Sequence, residues 1–514
     1  MSDGLGAPES PIRDALVVAA LLVCTNGPVM YLAWHVLHGA PQWEDPAVRA
    51  VFAATAGACA LAVVLDSQRV SGRRLRRPSR LGGASVVAFT AAIVASSLWS
   101  LDPSVTRARS VIYVGLAALA WIVADLEFAR FRRAVTLMLA VVLAGSLLAV
   151  VLSDSIGRDP DGNWRGLFLH ANEAAPFAAL AVLLALPRLL GLGGFGAGGG
   201  RIGVAGVGLD AGGGHGRFGV AAVRGLVGGR ILPASLVVMG LLLLERSGSR
   251  TASLALLSAV VCASALGLAS VGCSRFGLRA VRIVLPGAVL AAVAATAAVI
   301  ELWGSSMLAS RRAVWDFAWG RIGERPILGH GWFTAWEVDG FVGAEDLLNP
   351  GSAQNSFLEV WLGAGLLALA PFAVIIATAL YRSGRSLWRE PTPETWTWFA
   401  LVVFLVAVNL TLSFVLWFSY SWVLLMSAAL RPTGTSQQGS GSASRRVGEQ
   451  AGGRRMVPSI PMSPQGASAS RRCAEALSAA RSAVSLNSLA PSRGMAVPLR
   501  SWPHGDPSAD EEAM

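Results

Sequence analysis

The chain has 514 residues, of which 54% are hydrophobic and only 14% charged, and its mean hydropathy is +0.56. That balance excludes an ordinary soluble domain and predicts an all-α, polytopic membrane helix bundle. All 42 basic side chains are Arg, and the net charge of +11 gathers in particular connections, so nucleic acid need not be invoked as a partner.

A helix needs about 20 apolar residues to cross a hydrocarbon core about 30 Å thick. Windows of that kind occur at 14–34, 48–65, 82–100, 108–125, 133–153, 173–190, 231–245, 251–272, 281–302, 355–380, 396–412 and 414–430, about twelve spans in all. The first run is long and lacks a small-residue cleavage pattern, so it is expected to stay as an anchor. Loop 66–80 carries Arg69, Arg73, Arg74, Arg76, Arg77 and Arg80, and the positive-inside rule assigns it to the cytoplasm together with the N-terminus. Counting on from there, Arg130, Arg132 and Arg133, the 188–230 connection, Arg275, Arg279 and Arg282, and Arg382, Arg385 and Arg389 all fall inside. Both termini are therefore expected in the cytoplasm, with the bundle in a bacterial inner (plasma) membrane.

Residues 1–430 form the expected transmembrane domain. Within it, 190–230 is Gly-rich and reads as a flexible cytoplasmic linker; it has no GxxxxGK[ST] phosphate loop. Residues 431–514 are rich in Ser, Gly, Pro and Arg and read as a disordered cytoplasmic tail. Of the cysteines, Cys24, Cys59 and Cys262 fall in apolar spans, Cys273 at a cytoplasmic edge and Cys473 in the tail, with no disulfide or zinc spacing among them. No metal or other cofactor is expected.

The connections left on the outer side are polar. They are 101–107 with Arg107, 154–172 with Arg158, Arg165, His170 and Asn172, 246–250 with Arg246 and Arg250, the large loop 303–354 with Arg311, Arg312, Arg321 and Arg325, and the short turn near Leu412. Outer loops are normally poor in basic residues. A guanidinium keeps its charge and grips phosphate oxygens through a planar fork, so this set suits a diphosphate carried on a lipid. Each arginine taken singly has a plainer reading as a snorkelling or ion-paired side chain.

Five segments in order, SSLWSLDPSVTRARS, RGLFLHANEAA, SGSRTASLALL, SRRAVWDFAWGRIGERPILGHGW and AQNSFLEVWLGAGLLAL, resemble the O-antigen ligase and polymerase superfamily over roughly 14–430. Its firmest parts are the R-x-x-x-W…RP-x-x-G-x-G block and the N-x-x-L-x-x-x-x-x-x-G block. The resemblance implies a metal-independent transfer of a glycan from an undecaprenyl-diphosphate carrier to an acceptor hydroxyl on a glycan or glycolipid. It assigns the diphosphate to Arg311 and Arg250, with Arg107 and Arg165 as further candidates. The family's histidine position is held here by Gln354, next to Asn355.

Gln has no useful proton equilibrium, so another group would have to take the acceptor's proton, or the acceptor needs only positioning. His330 in ILGHGW has the most suitable ordinary pKa, about 6.5; the plainer reading is a loop histidine packed between glycines. Glu337, Asp339, Glu345 and Asp346 are the other nearby titratable groups. Trp315, Trp319, Trp332 and Trp336 fit either the membrane interface or a sugar-stacking surface. His170 and Asn172 either face the arginines or cap the helix that follows, with Asn172 the better cap. Two other readings stand beside a transferase: a transporter or flippase of an anionic or lipid-linked substrate, and a family member that binds without catalysing.

Overall fold

The structure, a computed structural model, describes residues 11–25, 57, 61, 79–168, 170–190, 231–276, 311, 312, 314–338, 352–410, 412 and 420–431. Every regular element among them is helical: α1 Pro11–Val23, α2 Arg80–Ala95, α3 Pro103–Asp125, α4 Phe128–Leu152, the one-turn α5 Asp154–Gly157, α6 Ala171–Leu189, α7 Leu232–Arg246 and α8 Arg250–Phe276. Residues 311, 312 and 314–324 form α9. They are followed by the short α10 Ala335–Val338, then α11 Ser356–Arg389, α12 Pro393–Asn409 and α13 Tyr420–Leu430.

Six helices are long and apolar enough to cross a membrane: Arg80–Leu98, Pro103–Asp125, Phe128–Leu152, Ala171–Leu189, Arg250–Val271 and Ser356–Arg389. They lie on six of the expected windows, and the protein is accordingly a multi-pass membrane protein. The windows at 231–245, 396–412 and 414–430 meet shorter helices of 15, 17 and 11 residues, and the first window meets one of 13 that starts ahead of it. The window at 281–302 and nearly all of 48–65 lie outside the described residues, as do most of the 190–230 linker, nearly all of the tail from 431 and much of the 303–354 loop.

The helices show two kinds of face. Val87, Val111, Val114, Leu137, Val141 and Leu148 stand exposed, whereas Phe89, Leu116, Leu119, Val135 and Leu139 are buried. Apolar side chains pointing outward along whole helices suit hydrocarbon, the one solvent in which such a surface costs nothing.

One end of the bundle is tied together around Arg431. Its guanidinium reaches Glu394 at 3.6 Å and the Leu126 carbonyl at 3.5 Å, Arg382 donates to its carbonyl, and Ser79 N–H donates to Leu430 O at 3.2 Å. This end gathers the start of α2, the end of α3, the end of α11, the start of α12 and the end of α13. The opposite end holds the 96–107 turn, the 326–338 loop, the start of α11 and the Asn409–Leu412 turn.

An aromatic knot lies beneath that second end. Phe89 and Trp422 rings are 4.7 Å apart, Tyr113 and Trp332 5.1 Å, Phe372 and Trp422 5.5 Å. Pairs of this kind add about 0.5–1.5 kcal/mol each beyond the area they bury. Trp332, fully buried, is the side chain by which the 326–338 loop is anchored in the helix bundle.

Candidate functional site

The most constrained place in the molecule is a break in α11. Ala364 and Gly365 leave helical geometry, Gly365 with φ 64° and ψ −166°. A break there frees the Leu362 and Gly363 carbonyls and the Leu366 and Leu367 N–H groups, which an unbroken helix would pair with one another. The loop segment 326–331 takes all four. His330 N–H donates to Leu362 O at 2.9 Å and Gly331 N–H to Gly363 O at 2.8 Å, while Leu366 and Leu367 N–H donate to Pro326 and Ile327 carbonyls at 3.0 and 3.3 Å. A Cβ on Gly365 would overlap the Ile327 carbonyl, and one on Gly331 would overlap Ser100. The glycines of RP-x-x-G-x-G and of N-x-x-L-x-x-x-x-x-x-G thus serve one backbone-to-backbone junction.

The 96–110 segment closes over the same loop. Trp99 Nε1 donates to Leu328 O at 2.7 Å, Leu101 N–H to His330 O at 3.0 Å, and Thr106 Oγ1 to Trp332 O at 3.1 Å. Asp102 caps α3 by accepting from Ser104 and Val105 N–H. The Ser104 hydroxyl and these amides hold its carboxyl below the usual carboxylate range. Arg107, one turn into α3, is exposed and donates Nε to Pro103 O.

A buried polar pocket sits at the start of α11. The Glu359 carboxylate, 3% exposed, accepts the Trp336 indole N–H at 2.9 Å through one oxygen and the Ala353 N–H through the other. Trp315 Nε1 donates to Ala353 O at 2.9 Å. Asn355 caps α11 by accepting from Phe357 and Leu358 N–H, and its amide donates to Leu410 O at 3.0 Å. Gripped from both sides, Gln354 adopts φ 49°, a conformation that costs a non-glycine residue energy and persists only where its surroundings impose it. On the α3 side of the same region, Arg109 donates Nη1 to Phe333 O at 3.1 Å and stacks over the Phe333 ring at 4.5 Å.

Arg311 opens α9, one turn before Trp315. Residues four apart share a helix face, so Arg311 stands about 6 Å along the helix from the indole that grips the Ala353–Gln354 bend. It is only 7% exposed, yet it makes no hydrogen bond or ion pair among the described residues, and its Nη1 is a buried donor without an acceptor. Burial pushes the guanidinium below its usual range.

Trp315, Gln354 and Asn355 therefore come together, with Arg311 a helical turn away. Arg165, His170 and Arg250 belong to a second place, where the 154–168 loop meets the α7–α8 turn. Trp164 N–H donates to Arg246 O at 3.0 Å, and Arg165 donates Nε to Ile156 O at 3.2 Å. Arg250 is the first residue of α8, and beside it Ser249 Oγ is buried without a hydrogen-bond partner. His170, not Asn172, occupies the N-cap of α6, and it makes no side-chain cap bond. Although partly open to solvent, its imidazole is pushed below its usual range by desolvation and then by the Arg165 guanidinium, with Asp159 acting the other way.

His330 is 2% exposed, and its Nε2 is engaged with the Arg321 carbonyl at 2.8 Å, so the ring closes the turn after α9. That geometry gives it a structural task in the described loop. Trp332 is likewise a core residue, while Trp319 stays half exposed against Trp361. Asp339, Glu345 and Asp346, and the side chain of Glu337, lie outside the described residues.

Arg109, Tyr113 and Glu359 were not singled out from sequence. The signal was present: Arg109 and Glu359 are ionisable residues embedded in apolar runs, a position that is costly unless it serves a purpose. No protein-family model matches the chain, and no curated protein matches it.

Proposed function

We propose that this protein is a membrane glycosyltransferase that joins a glycan from an undecaprenyl-diphosphate carrier to an acceptor hydroxyl, in the manner of the O-antigen ligase and polymerase superfamily its motifs resemble. On this reading the bundle has about twelve spans in a bacterial inner membrane. Both termini are cytoplasmic and the 303–354 loop lies on the outer side, where surface polysaccharide is assembled.

The observation that carries the reading is Arg311. A buried guanidinium whose Nη1 has no acceptor among the described residues is costly, and the cost is relieved when an anion enters. Phosphate oxygens match the planar fork, and a diphosphate presents several of them. The acceptor oxygen attacks the anomeric carbon, the bond from that carbon to the diphosphate oxygen breaks with inversion, and the acceptor's proton passes to the departing diphosphate or to water. Negative charge grows on the leaving group, and a guanidinium already in place there lowers the barrier. Gln354, held in its strained conformation beside Asn355, supplies hydrogen bonds that orient the acceptor and takes no proton. Arg250, beside the buried Ser249 hydroxyl, is the second cation of the reading, with Arg107 and Arg165 as lesser contributors.

The test is transfer in bilayer discs from a purified lipid-diphosphate glycan donor to a glycan acceptor. Wild type is expected to yield a joined product, and Arg311→Ala to lose it while inserting and folding as wild type does. A protein that only moves or binds the lipid diphosphate gives no joined product with either, and that result overturns the reading.

A further inference from the structure

Among the described residues, the 325–329 turn has an unusual division of labour between backbone and side chains. Ile327 is 59% exposed, Leu328 42%, and Pro326 is exposed beside them. Their carbonyls are all taken from within the protein: Pro326 O by Leu366 N–H and by Trp361 Nε1 at 2.9 Å, Ile327 O by Leu367 N–H, and Leu328 O by Trp99 Nε1. A loop facing water has no need to close its carbonyls while turning its apolar side chains outward. A loop facing lipid must do both, since hydrocarbon offers no hydrogen bonds.

The surroundings continue the pattern. Leu98, 83% exposed, ends the span that begins at Arg80, and Leu366 and Leu367, both exposed, open the long segment of α11 below its break. The turn is thus flush with the outward-facing rows of two membrane-crossing helices. Trp319 and Trp361 meet edge to face at 5.4 Å on one side of it, as indoles do where acyl chains meet headgroups. Leading into the turn are the exposed Arg325 and the Arg321–Glu324 ion pair at 3.0 Å. The depth is indicated by the Ile327 and Leu328 N–H groups, for which no backbone acceptor lies among the described residues. Such donors fit the headgroup boundary, where phosphate and ester oxygens are present, and do not fit the centre of the bilayer.

The geometry points to the Pro326–Leu328 turn as a lipid-immersed wedge, seated at the acyl–headgroup boundary of the leaflet that meets the Leu98 end of α2. Its partner is the phospholipid itself. The wedge pins the loop that carries α9 to the membrane surface, and the inference stands whether or not the chain transfers glycan.

Full-length protein in phosphatidylcholine discs, carrying a photoreactive benzoylphenylalanine in place of Ile327 or, separately, Leu328, tests this. Irradiation followed by mass spectrometry should give lipid adducts at a yield comparable to the same replacement of Leu366, whereas replacement of the exposed loop residue Asp161 should give none. Variants are compared only if their gel-filtration profiles match wild type, and using two adjacent positions guards against one failing to fold. Crosslinks to a second copy or to another part of the chain, or a lipid yield as low as at Asp161, would overturn the proposal.

Discussion

Trp336 Nε1 donates to one Glu359 oxygen at 2.9 Å, and the other oxygen of the same carboxylate receives the Ala353 N–H. One buried side chain on α11 thereby fixes both a loop tryptophan and the bend that presents Gln354. Because both oxygens face donors, Glu359→Gln must turn an amide N–H toward one of them. The expected loss is about 1–3 kcal/mol, the cost of a buried donor left unmatched. It would be read as a lower melting temperature of the detergent-solubilised protein; an unchanged melt would show that the carboxylate does not hold the bend.

Gly365→Ala should be among the most damaging single changes in the chain. The φ 64°, ψ −166° conformation is open essentially to glycine alone and costs other residues about 1–3 kcal/mol, before the overlap with the Ile327 carbonyl is counted. Gly323→Ala is the control: a Cβ there meets nothing within 4 Å, and alanine suits a helix better by about 0.5–1 kcal/mol. Expression and melting temperature should fall sharply for the first and hold or rise for the second.

Arg311→Met should stabilise the protein when no anion is present, by about 1–3 kcal/mol, since a flexible apolar side chain replaces a buried charge whose Nη1 has no partner among the described residues. The same variant should lose any rise in melting temperature that inorganic pyrophosphate gives the wild type. A variant less stable than wild type, or still stabilised by pyrophosphate, would contradict the anion site.

The depressed pKa of His170 has a definite sign. A histidine whose folded pKa lies below its unfolded value of about 6.5 adds stability above that value and loses it as pH falls toward the folded pKa. Melting temperatures of wild type and His170→Gln should therefore differ in slope below about pH 6.5, with the wild type falling more steeply. Parallel curves would mean that the ring titrates as it does in water.

Much of the fold was legible because hydrocarbon imposes a local rule. The windows at 82–100, 108–125 and 133–153 each announce a span by length and composition, and the structure places helices there. The break at Ala364 was not legible: GAGLLAL inside an apolar run reads as continuous helix until something else needs its backbone groups. His330 shows the same limit for the site. Its ordinary pKa made it a candidate, and only the tertiary structure shows the Arg321 carbonyl 2.8 Å from its ring. Conversely, Glu359 is one charge in a long hydrophobic stretch, and its place there is itself the signal.

By itself the sequence determined that this chain lives in a membrane, where its main helices lie and which connections between them are polar, because apolar length and charge are properties of short stretches. Tertiary structure alone decided that residues 326–331 complete a broken helix at 362–367, that Trp315 and Glu359 hold the bend before α11, and that Arg311 is buried with its Nη1 unanswered. Those outcomes depend on which backbone groups remain unpaired when distant segments meet, and no local pattern records that.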